Sequence, residues 1–191
     1  MDSTIILIGP MSAGKSTIAK VLAEKLNIPH YEVDDERWTY FDELGYDKKV
    51  ASQLANSDEG MIGLIRYWKP FEVGTLERVL VEHPNSVIDF GAGYTVQEDA
   101  ALFARVEHAL APYPNVIMLL PSPDLDESVE EVNARFTALL LKEVGTVDPR
   151  LLEINKNFVK HPANHQLAKI VVYTKDKTTD ETCAEIIDKL K

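Results

Sequence analysis

The feature that most constrains the fold of this chain is a glycine-rich loop between an apolar run and a helical pattern. Residues 4–8 are apolar or β-branched, which is typical of a buried strand. The next nine, Gly-Pro-Met-Ser-Ala-Gly-Lys-Ser-Thr, have the spacing of a phosphate-binding loop that opens a helix. Backbone N–H groups and the positive end of that helix would form a cradle for anions. We therefore predict that a nucleoside triphosphate binds to Gly9, Pro10, Met11, Ser12, Ala13, Gly14, Lys15, Ser16 and Thr17.

Two side chains of this loop have the chemistry that phosphoryl transfer requires. The ammonium group of Lys15 would reach the β- and γ-phosphates, and the hydroxyl of Ser16 would coordinate Mg²⁺. The alternative is a chance match in an ordinary strand, turn and helix. Because the spacing, the strand before it and the helix after it all agree, the pattern favours a phosphate-binding loop with ATP and Mg²⁺ as cofactors.

The composition predicts a single globular domain that does not bind nucleic acid. A chain of 191 residues, 45% of them hydrophobic, can bury a substantial core as a single domain, residues 1–191. Its 31 acidic residues outnumber 20 basic ones, and a formal net charge of -11 would repel a polyanion. One cysteine, Cys183, indicates a reducing compartment, and the apolar runs are too short to span a bilayer. We expect a cytoplasmic protein without membrane or nucleic-acid partners, either a monomer or a homodimer.

Strand and helix patterns alternate along the rest of the chain. Further strands are predicted at 30–33, 86–90, 116–120 and 169–173, with amphipathic helical patterns between them. Such alternation is typical of an α/β protein in which helices cover both faces of a parallel sheet. The prediction is a three-layer fold of the P-loop NTPase class with five parallel strands. Two helical segments, 37–82 and 123–165, are too long for simple connections and are predicted to be a substrate-binding insert and a lid.

Acidic residues at the carboxyl ends of two predicted strands are candidates for the metal and acceptor sites. In open parallel sheets, ligands bind at that edge. Asp89 follows a hydrophobic strand and would hold Mg²⁺ as a Walker-B acid does, with support from Glu32. Asp34 would orient the acceptor hydroxyl or take its proton. For Asp89 and Asp34 the alternative is an acid that only caps the next turn or helix.

Small and basic residues complete the set of candidates. Three small residues after the third strand would let an acceptor approach the backbone closely, or would only form a turn at positive φ: Gly91, Ala92 and Gly93. Two arginines flank the predicted lid and would clamp the transferring phosphates or stack on the base: Arg135 and Arg150. Three further basic residues would meet an anionic acceptor: Arg66, Lys69 and Lys160. For each of the five basic residues, a solvated surface group is the alternative.

This arrangement resembles the shikimate kinase family and its nucleoside-monophosphate-kinase-like relatives. The resemblance covers most of the chain in layout, and the phosphate loop is its most specific part. Three other pieces resemble family motifs, namely Glu32-Val33-Asp34 for Asp-x-Asp, Trp68-Lys69-Pro70-Phe71-Glu72 near Phe-Arg-x-x-Glu, and Gly91-Ala92-Gly93 for three glycines. By that resemblance Asp34 would hold the acceptor hydroxyl and residues 91–93 would line its pocket.

The resemblance implies an ATP-dependent kinase of a small hydroxylated metabolite with an altered acceptor pocket. Shikimate kinases grip the carboxylate of their substrate with arginines, where this chain has Lys69 and Lys160. An ammonium group is a point charge without the planar fork of a guanidinium. Shikimate itself, a nucleoside or nucleotide, and an antibiotic hydroxyl stay open as acceptors. An ATP-binding regulatory switch without phosphoryl transfer is the alternative from a different class.

Overall fold

The computed structural model describes residues 4–190, which form five strands and nine helices. The strands are β1 Ile5–Ile8, β2 His30–Glu32, β3 Val87–Asp89, β4 Val116–Leu120 and β5 Ile170–Tyr173. The helices are α1 Lys15–Leu26, α2 Val33–Glu43, α3 Lys48–Ala55, α4 Gly60–Glu82, α5 Ala100–Leu110, α6 Leu125–Glu143, α7 Pro149–Lys160, α8 Pro162–Leu167 and α9 Thr179–Lys189.

The five strands form one parallel sheet in the order β2-β3-β1-β4-β5. β1 lies at its centre, hydrogen-bonded to β3 on one side and to β4 on the other. Every residue of β1 and β4 is buried, as expected when helices cover both faces of a sheet. The predicted α/β fold with five parallel strands is therefore confirmed. Because the strands share one direction, β1, β2 and β3 all end at the same edge, where open parallel sheets bind ligands.

Four of the five predicted strands are shorter in the structure by one residue at one end or at both. The difference matters most at β2, which was predicted to include Val33 and ends at Glu32. Val33 begins α2, so Asp34 lies in the first turn of a helix and not at a strand end. The positive end of the helix dipole favours acids in that turn, where Asp35 and Glu36 also lie.

The insert between β2 and β3 consists of α2, α3 and α4. A cluster of aromatic rings, with centroids 5.2 to 5.9 Å apart, packs α2 and the loop after it against α4: Trp38, Phe41, Tyr46, Tyr67, Trp68 and Phe71. α4 has 23 residues and is the longest helix of the described chain. Neither α4 nor any other helix within residues 4–190 has the length and apolar character needed to cross a membrane.

The segment predicted to be a lid contains α6, α7 and α8. α7 begins with Pro149, and the side chain of Asp148 caps it by accepting a hydrogen bond from the backbone N–H of Arg150. Proline suits the first position of a helix because the N–H that it lacks would have no partner there. The break at residues 144–148 thus turns the chain from α6 into α7, and the two helices pack against each other.

Gly9, where β1 enters the phosphate loop, gives a test of this packing. Its φ is +139°, and a Cβ atom there would lie 2.6 Å from the carbonyl oxygen of Leu119 in β4. Gly45 has a φ of +88° but open space around the same position. Gly45→Ala should lower the free energy of unfolding by about 1–2 kcal/mol through backbone strain alone. Gly9→Ala should cost about 3 kcal/mol or more, since the close approach adds to the strain.

Urea unfolding of both variants would measure the two losses. Equal losses would contradict the close packing of Gly9 on β4.

Candidate active site

The phosphate loop begins at Gly9 and leads into α1. Gly14, the residue before α1, has a left-handed backbone conformation with a φ of 93°. Lys15 is the first residue of α1, and its buried ammonium group donates to the carbonyl oxygens of Gly9 at 3.0 Å and Pro10 at 2.8 Å. Burial lowers the pKa of Lys15 to about 8, although two nearby carboxylates, those of Asp34 and Asp89, oppose the shift. The ammonium group of Lys15 is therefore held next to the loop backbone that would surround the phosphates.

The carboxylate of Asp89 joins the phosphate loop to the two neighbouring strands. The hydroxyl of Ser16 donates to its Oδ2 at 2.6 Å, and Nε2 of His30 lies 2.7 Å from its Oδ1. Asp89 is buried at the end of β3, and Glu32 is its direct neighbour in the register of β2. Two predicted metal ligands, Ser16 and Asp89, are thus in contact, and the third, Glu32, lies beside them.

These groups fit Mg²⁺, which prefers oxygen ligands. In phosphoryl-transfer sites it is bound by one or two carboxylates, by waters and by substrate phosphates, and not by a cage of protein ligands. Within residues 4–190, no group of three or more His, Cys, Asp or Glu side chains is arranged to hold a metal ion. The hydroxyl of Ser16 and the carboxylate of Asp89 would supply the protein part of such an open site.

Asp34 lies against the backbone of Gly91. A Cβ atom at Gly91 would stand 2.7 Å from Oδ1 of Asp34, whereas Gly91 does not have positive φ. The glycine therefore makes room for the carboxylate, and the turn alternative does not explain it. The side chain of Asp34 is 48% exposed because it faces a cavity, yet the surrounding walls desolvate it enough to raise its pKa. Arg37 and Lys15 oppose that rise.

Lys69 is held by three hydrogen bonds within the protein. Its ammonium group donates to Oε2 of Glu72 at 3.0 Å and to the carbonyl oxygens of Gly93 at 2.7 Å and Val96 at 3.0 Å. An ammonium group has three donors, so all three are engaged. Glu72 is buried, and desolvation raises its pKa despite the opposing charge of Lys69. Lys69 thus fixes the loop after β3 to α4.

A cavity of about 250 Å³, here called the inner cavity, lies between Asp34, Glu72 and the phosphate loop. Its polar wall contains Asp34, Arg37, Glu72, Gly91, Gly93 and Tyr94. Its apolar wall contains Met11, Met61, Ile65, Trp68, Ala92, Leu151, Ile154 and Phe158. Residues from the loop, the insert and the predicted lid therefore enclose one space that is large enough for a small metabolite.

Two polar residues of the inner cavity are not among the candidates predicted from the sequence, namely Arg37 and Tyr94. The guanidinium of Arg37 lies 4.6 Å from the ring centroid of Trp38 and 5.1 Å from that of Trp68, and 3.6 Å from Oδ1 of Asp34. Tyr94 directly follows Gly93 and is buried. Only their positions in the sequence could have indicated them. Arg37 lies one helical turn after Asp34, and Tyr94 directly follows the glycine motif.

Four of the predicted basic residues form ion pairs at the surface. Their side chains are 40% to 69% exposed, and the pairs are Arg66 with Glu59, Arg135 with Glu131, Arg150 with Asp148, and Lys160 with Asp126. Arg66 and Arg150 line a second space of about 930 Å³, the outer cavity, which shares Ile65, Ile154 and Phe158 with the inner cavity. Among the described residues, none of the four lines the inner cavity. Their roles at phosphate or acceptor stay predictions.

Asn155 ties the predicted lid to the phosphate loop. Its side-chain oxygen accepts from the backbone N–H of Met11 at 2.8 Å, and its amide nitrogen donates to the carbonyl oxygen of Met11 at 3.3 Å and to Oδ1 of Asn133 at 3.0 Å. Asn155 is fully buried on α7. The contact joins residues 144 positions apart, so no local pattern in the sequence could have found it.

Comparison with known proteins connects this geometry to one family. The family model described as Shikimate kinase matches residues 11–191. The chain is 27% identical over 186 residues to the shikimate kinase of Azobacteroides pseudotrichonymphae, covering 97% of this chain and 98% of that protein. It is 26% identical over 189 residues to the shikimate kinase of Brucella canis, covering 99% and 82% respectively.

Solved structures share the fold. The shikimate kinase of Acinetobacter baumannii, described as in complex with shikimate, superposes with a TM-score of 0.68 at 21% identity, covering 100% of this chain and 97% of that one. The shikimate kinase of Bacteroides thetaiotaomicron superposes with a TM-score of 0.59, also at 21% identity, over 98% of each chain. The arrangement of strands and helices is therefore similar along almost the entire chain.

The placement of Asp34 beside Gly91 predicts that its carboxylate acts on the acceptor and not on ATP. Asp34→Asn should lower kcat by about 10²- to 10⁴-fold, the usual contribution of a general base. It should leave ATP affinity unchanged at a pH well below 8, where Lys15 is charged with or without this carboxylate. Asp35→Asn, in the same turn of α2, is the matched control and should keep full turnover. Steady-state kinetics and ATP titration would separate the two effects, and equal loss of ATP affinity in Asp34→Asn would place this carboxylate at the nucleotide.

The lowered pKa of Lys15 predicts how ATP affinity depends on pH. Below about pH 8 the ammonium group is charged and attracts the phosphates, and above it the free protein loses that charge. The Kd of a non-hydrolysable ATP analogue should therefore rise as the pH increases from 8 to about 10. Lys15→Met should bind weakly at every pH and show no such slope. A Kd that stays constant across this range in the unmodified protein would contradict the role of Lys15.

Proposed function

The chain belongs to the shikimate kinase family, and we propose that its acceptor binds in the inner cavity next to the phosphate loop. As a member of that family it is an ATP-dependent kinase, which transfers a phosphoryl group to a hydroxyl of a small metabolite. The proposal assigns the phosphates to Lys15 and the loop backbone, the metal ion to Ser16 and Asp89 with Glu32 beside them, and the acceptor hydroxyl to Asp34.

One observation carries this proposal: Asp34 and Met11 of the phosphate loop line the same small cavity. A hydroxyl held at Asp34 would therefore lie beside the loop whose N–H groups hold the phosphates. Leu151, Ile154 and Phe158 from α7 cover the cavity and would exclude water, which otherwise competes with the acceptor as nucleophile. Positioning and exclusion of water are the main tasks of an enzyme that transfers phosphoryl groups.

In the proposed reaction the acceptor oxygen forms a bond to the γ-phosphorus, and the bond from that phosphorus to the bridging oxygen of ADP breaks. The carboxylate of Asp34 accepts the proton of the acceptor hydroxyl. Lys15 and the loop N–H groups stabilise the negative charge on the transferring group. Mg²⁺, when bound, would add further neutralisation of the phosphates.

The environment of the two predicted carboxylate-binding lysines supports an acceptor other than shikimate. All three donors of Lys69 are engaged by Glu72, Gly93 and Val96. Lys160 forms an ion pair with Asp126 and is not part of the inner cavity as described for residues 4–190. Neither ammonium group is free to hold a substrate carboxylate without breaking these contacts, and a lysine lacks the bidentate fork of an arginine.

We further propose that the enzyme works in the cytoplasm, as one domain, on a small molecule and without nucleic acid. The net charge of -11 supports the last point, because a strongly acidic surface repels a polyanion. The buried free thiol of Cys183 is consistent with a reducing compartment. Size-exclusion chromatography with light scattering would decide between a monomer and a homodimer.

ADP release with Mg²⁺ and ATP tests the acceptor directly. The assay would compare shikimate, gluconate, inositol, uridine and an aminoglycoside, with Lys15→Met as the control for contaminating kinases. We expect stimulation by at least one hydroxylated compound and little by shikimate.

Strong stimulation by shikimate would mean that lysines can replace the family's arginines at this site. ADP release that no hydroxylated compound accelerates, with nucleotide binding intact, would favour the regulatory switch over the kinase.

A further inference from the structure

Two residues that line the inner cavity each have a buried hydrogen-bond donor without a partner among residues 4–190. Tyr94 is 1% exposed, and within residues 4–190 neither its hydroxyl nor Nε of Arg37 forms a hydrogen bond, although both atoms are buried. Buried polar groups in folded proteins are nearly always paired, because leaving them unpaired costs their full desolvation. Because both residues line the inner cavity, their unpaired donors point to a ligand there that pairs them.

The surroundings hold both groups in place. Arg37 lies over the rings of Trp38 and Trp68, and its nearest anionic atom is Oδ1 of Asp34 at 3.6 Å, too far for a good hydrogen bond. Tyr94 packs against Phe90, with ring centroids 5.5 Å apart, and its backbone N–H donates to the carbonyl of Gly91 at 3.2 Å. These contacts restrict the positions of both side chains at the wall of the inner cavity.

Both groups are donors under ordinary conditions. The guanidinium of Arg37 is always charged and has no acceptor atom. Burial, followed by the nearby charges of Asp34 and Glu72, raises the pKa of Tyr94, so its hydroxyl keeps its proton. The atom that pairs them must therefore carry a free lone pair, as a hydroxyl, carbonyl or carboxylate oxygen does.

We propose that Tyr94 and Arg37 bind a second oxygen of the acceptor, distinct from the hydroxyl at Asp34 that receives the phosphoryl group. This inference rests on the proposed function and narrows it. The acceptor then carries at least two oxygens, as in a polyol, a sugar or a hydroxy acid, and a simple alcohol does not suffice. Tyr94 and Arg37 are specificity-determining residues, and neither takes part in the transfer itself.

Tyr94→Phe is the sharpest test, because it removes only the hydroxyl oxygen. Since that oxygen has no partner in the described part of the chain, its loss should leave the Tm unchanged or raise it. With a compound that stimulates ADP release, KM for the acceptor should rise about fivefold to tenfold, the value of one neutral hydrogen bond, while KM for ATP stays constant.

Tyr40→Phe is the matched control. Tyr40 is also buried, but its hydroxyl donates to Oε2 of Glu82 at 2.9 Å, away from the inner cavity. This variant should lower the Tm and keep KM for the acceptor. A fall in Tm for Tyr94→Phe equal to that of Tyr40→Phe, or an unchanged KM, would overturn the inference.

Analogues of the acceptor that each lack one oxygen give a second, independent readout. In the unmodified protein one such analogue, other than the one lacking the reacting hydroxyl, should bind about tenfold more weakly than the parent. The difference in affinity between the parent compound and this analogue should be smaller in Tyr94→Phe. It should also be smaller in Arg37→Lys, because the proposal assigns the same oxygen to both residues. Equal losses in all three proteins would place that oxygen elsewhere and overturn the inference.

The outcomes separate this inference from the proposed function. Phosphoryl transfer to a compound whose KM is unaffected by Tyr94→Phe would refute the specificity role and leave the kinase intact. Efficient transfer to simple alcohols with a single oxygen would do the same. If none of the hydroxylated compounds accelerates ADP release, both the proposed function and the inference fail.

Discussion

The active site depends on the pairing of β1 between β3 and β4. Parallel strands end at one edge, so this pairing brings the phosphate loop after β1 next to Asp89 at the end of β3. The hydrogen bond from Ser16 to Asp89, 2.6 Å long, is the direct result. β2 ends at this same edge of the sheet, so Glu32 and the first turn of α2 also lie there. The groups proposed for nucleotide, metal and acceptor are therefore neighbours because three strands run in the same direction.

The inner cavity shows how buried charge restricts what can bind there. A buried charge must be paired, and Glu72 and Lys69 pair with each other. Lys69 therefore stabilises the loop that carries Gly93 and offers nothing to a ligand. Lys69 lines the outer cavity, whereas Asp34 and Arg37 line the inner cavity with Glu72 and are only loosely paired with each other, at 3.6 Å. The proposed acceptor site therefore keeps Asp34, which the family motif suggests, and adds Arg37 and Tyr94 in place of the two lysines.

The sequence predicted the fold well because the signals are local. The apolar runs of β1 and β4 and the glycine-rich loop identify a parallel sheet of the P-loop class without any knowledge of distant contacts. The end of β2 was predicted at Val33, one residue after its actual end at Glu32, since a valine suits a strand as well as the start of a helix. The link between Asn155 and Met11 depends on how α7 packs on the loop, which periodicity does not specify.

The site itself could be predicted only in part. Loop residues such as Lys15 and Ser16 follow from a motif whose chemistry requires them. The environment of Lys69 could not be predicted in this way, because its three hydrogen-bond acceptors come from α4 and from the loop after β3. Tyr94 gave no signal beyond its position, because an unpaired buried hydroxyl is visible only once the surrounding chain is in place.

The most direct test of the account is to identify the product. Mass spectrometry of a metabolite extract incubated with ATP and the enzyme would show which compound gains the mass of HPO₃. We expect one predominant phosphorylated compound, whose unphosphorylated form carries at least two oxygens and whose yield falls sharply when Asp34→Asn replaces the unmodified chain. Conversion of ATP to ADP and free phosphate, with no phosphorylated metabolite in either sample, would contradict it.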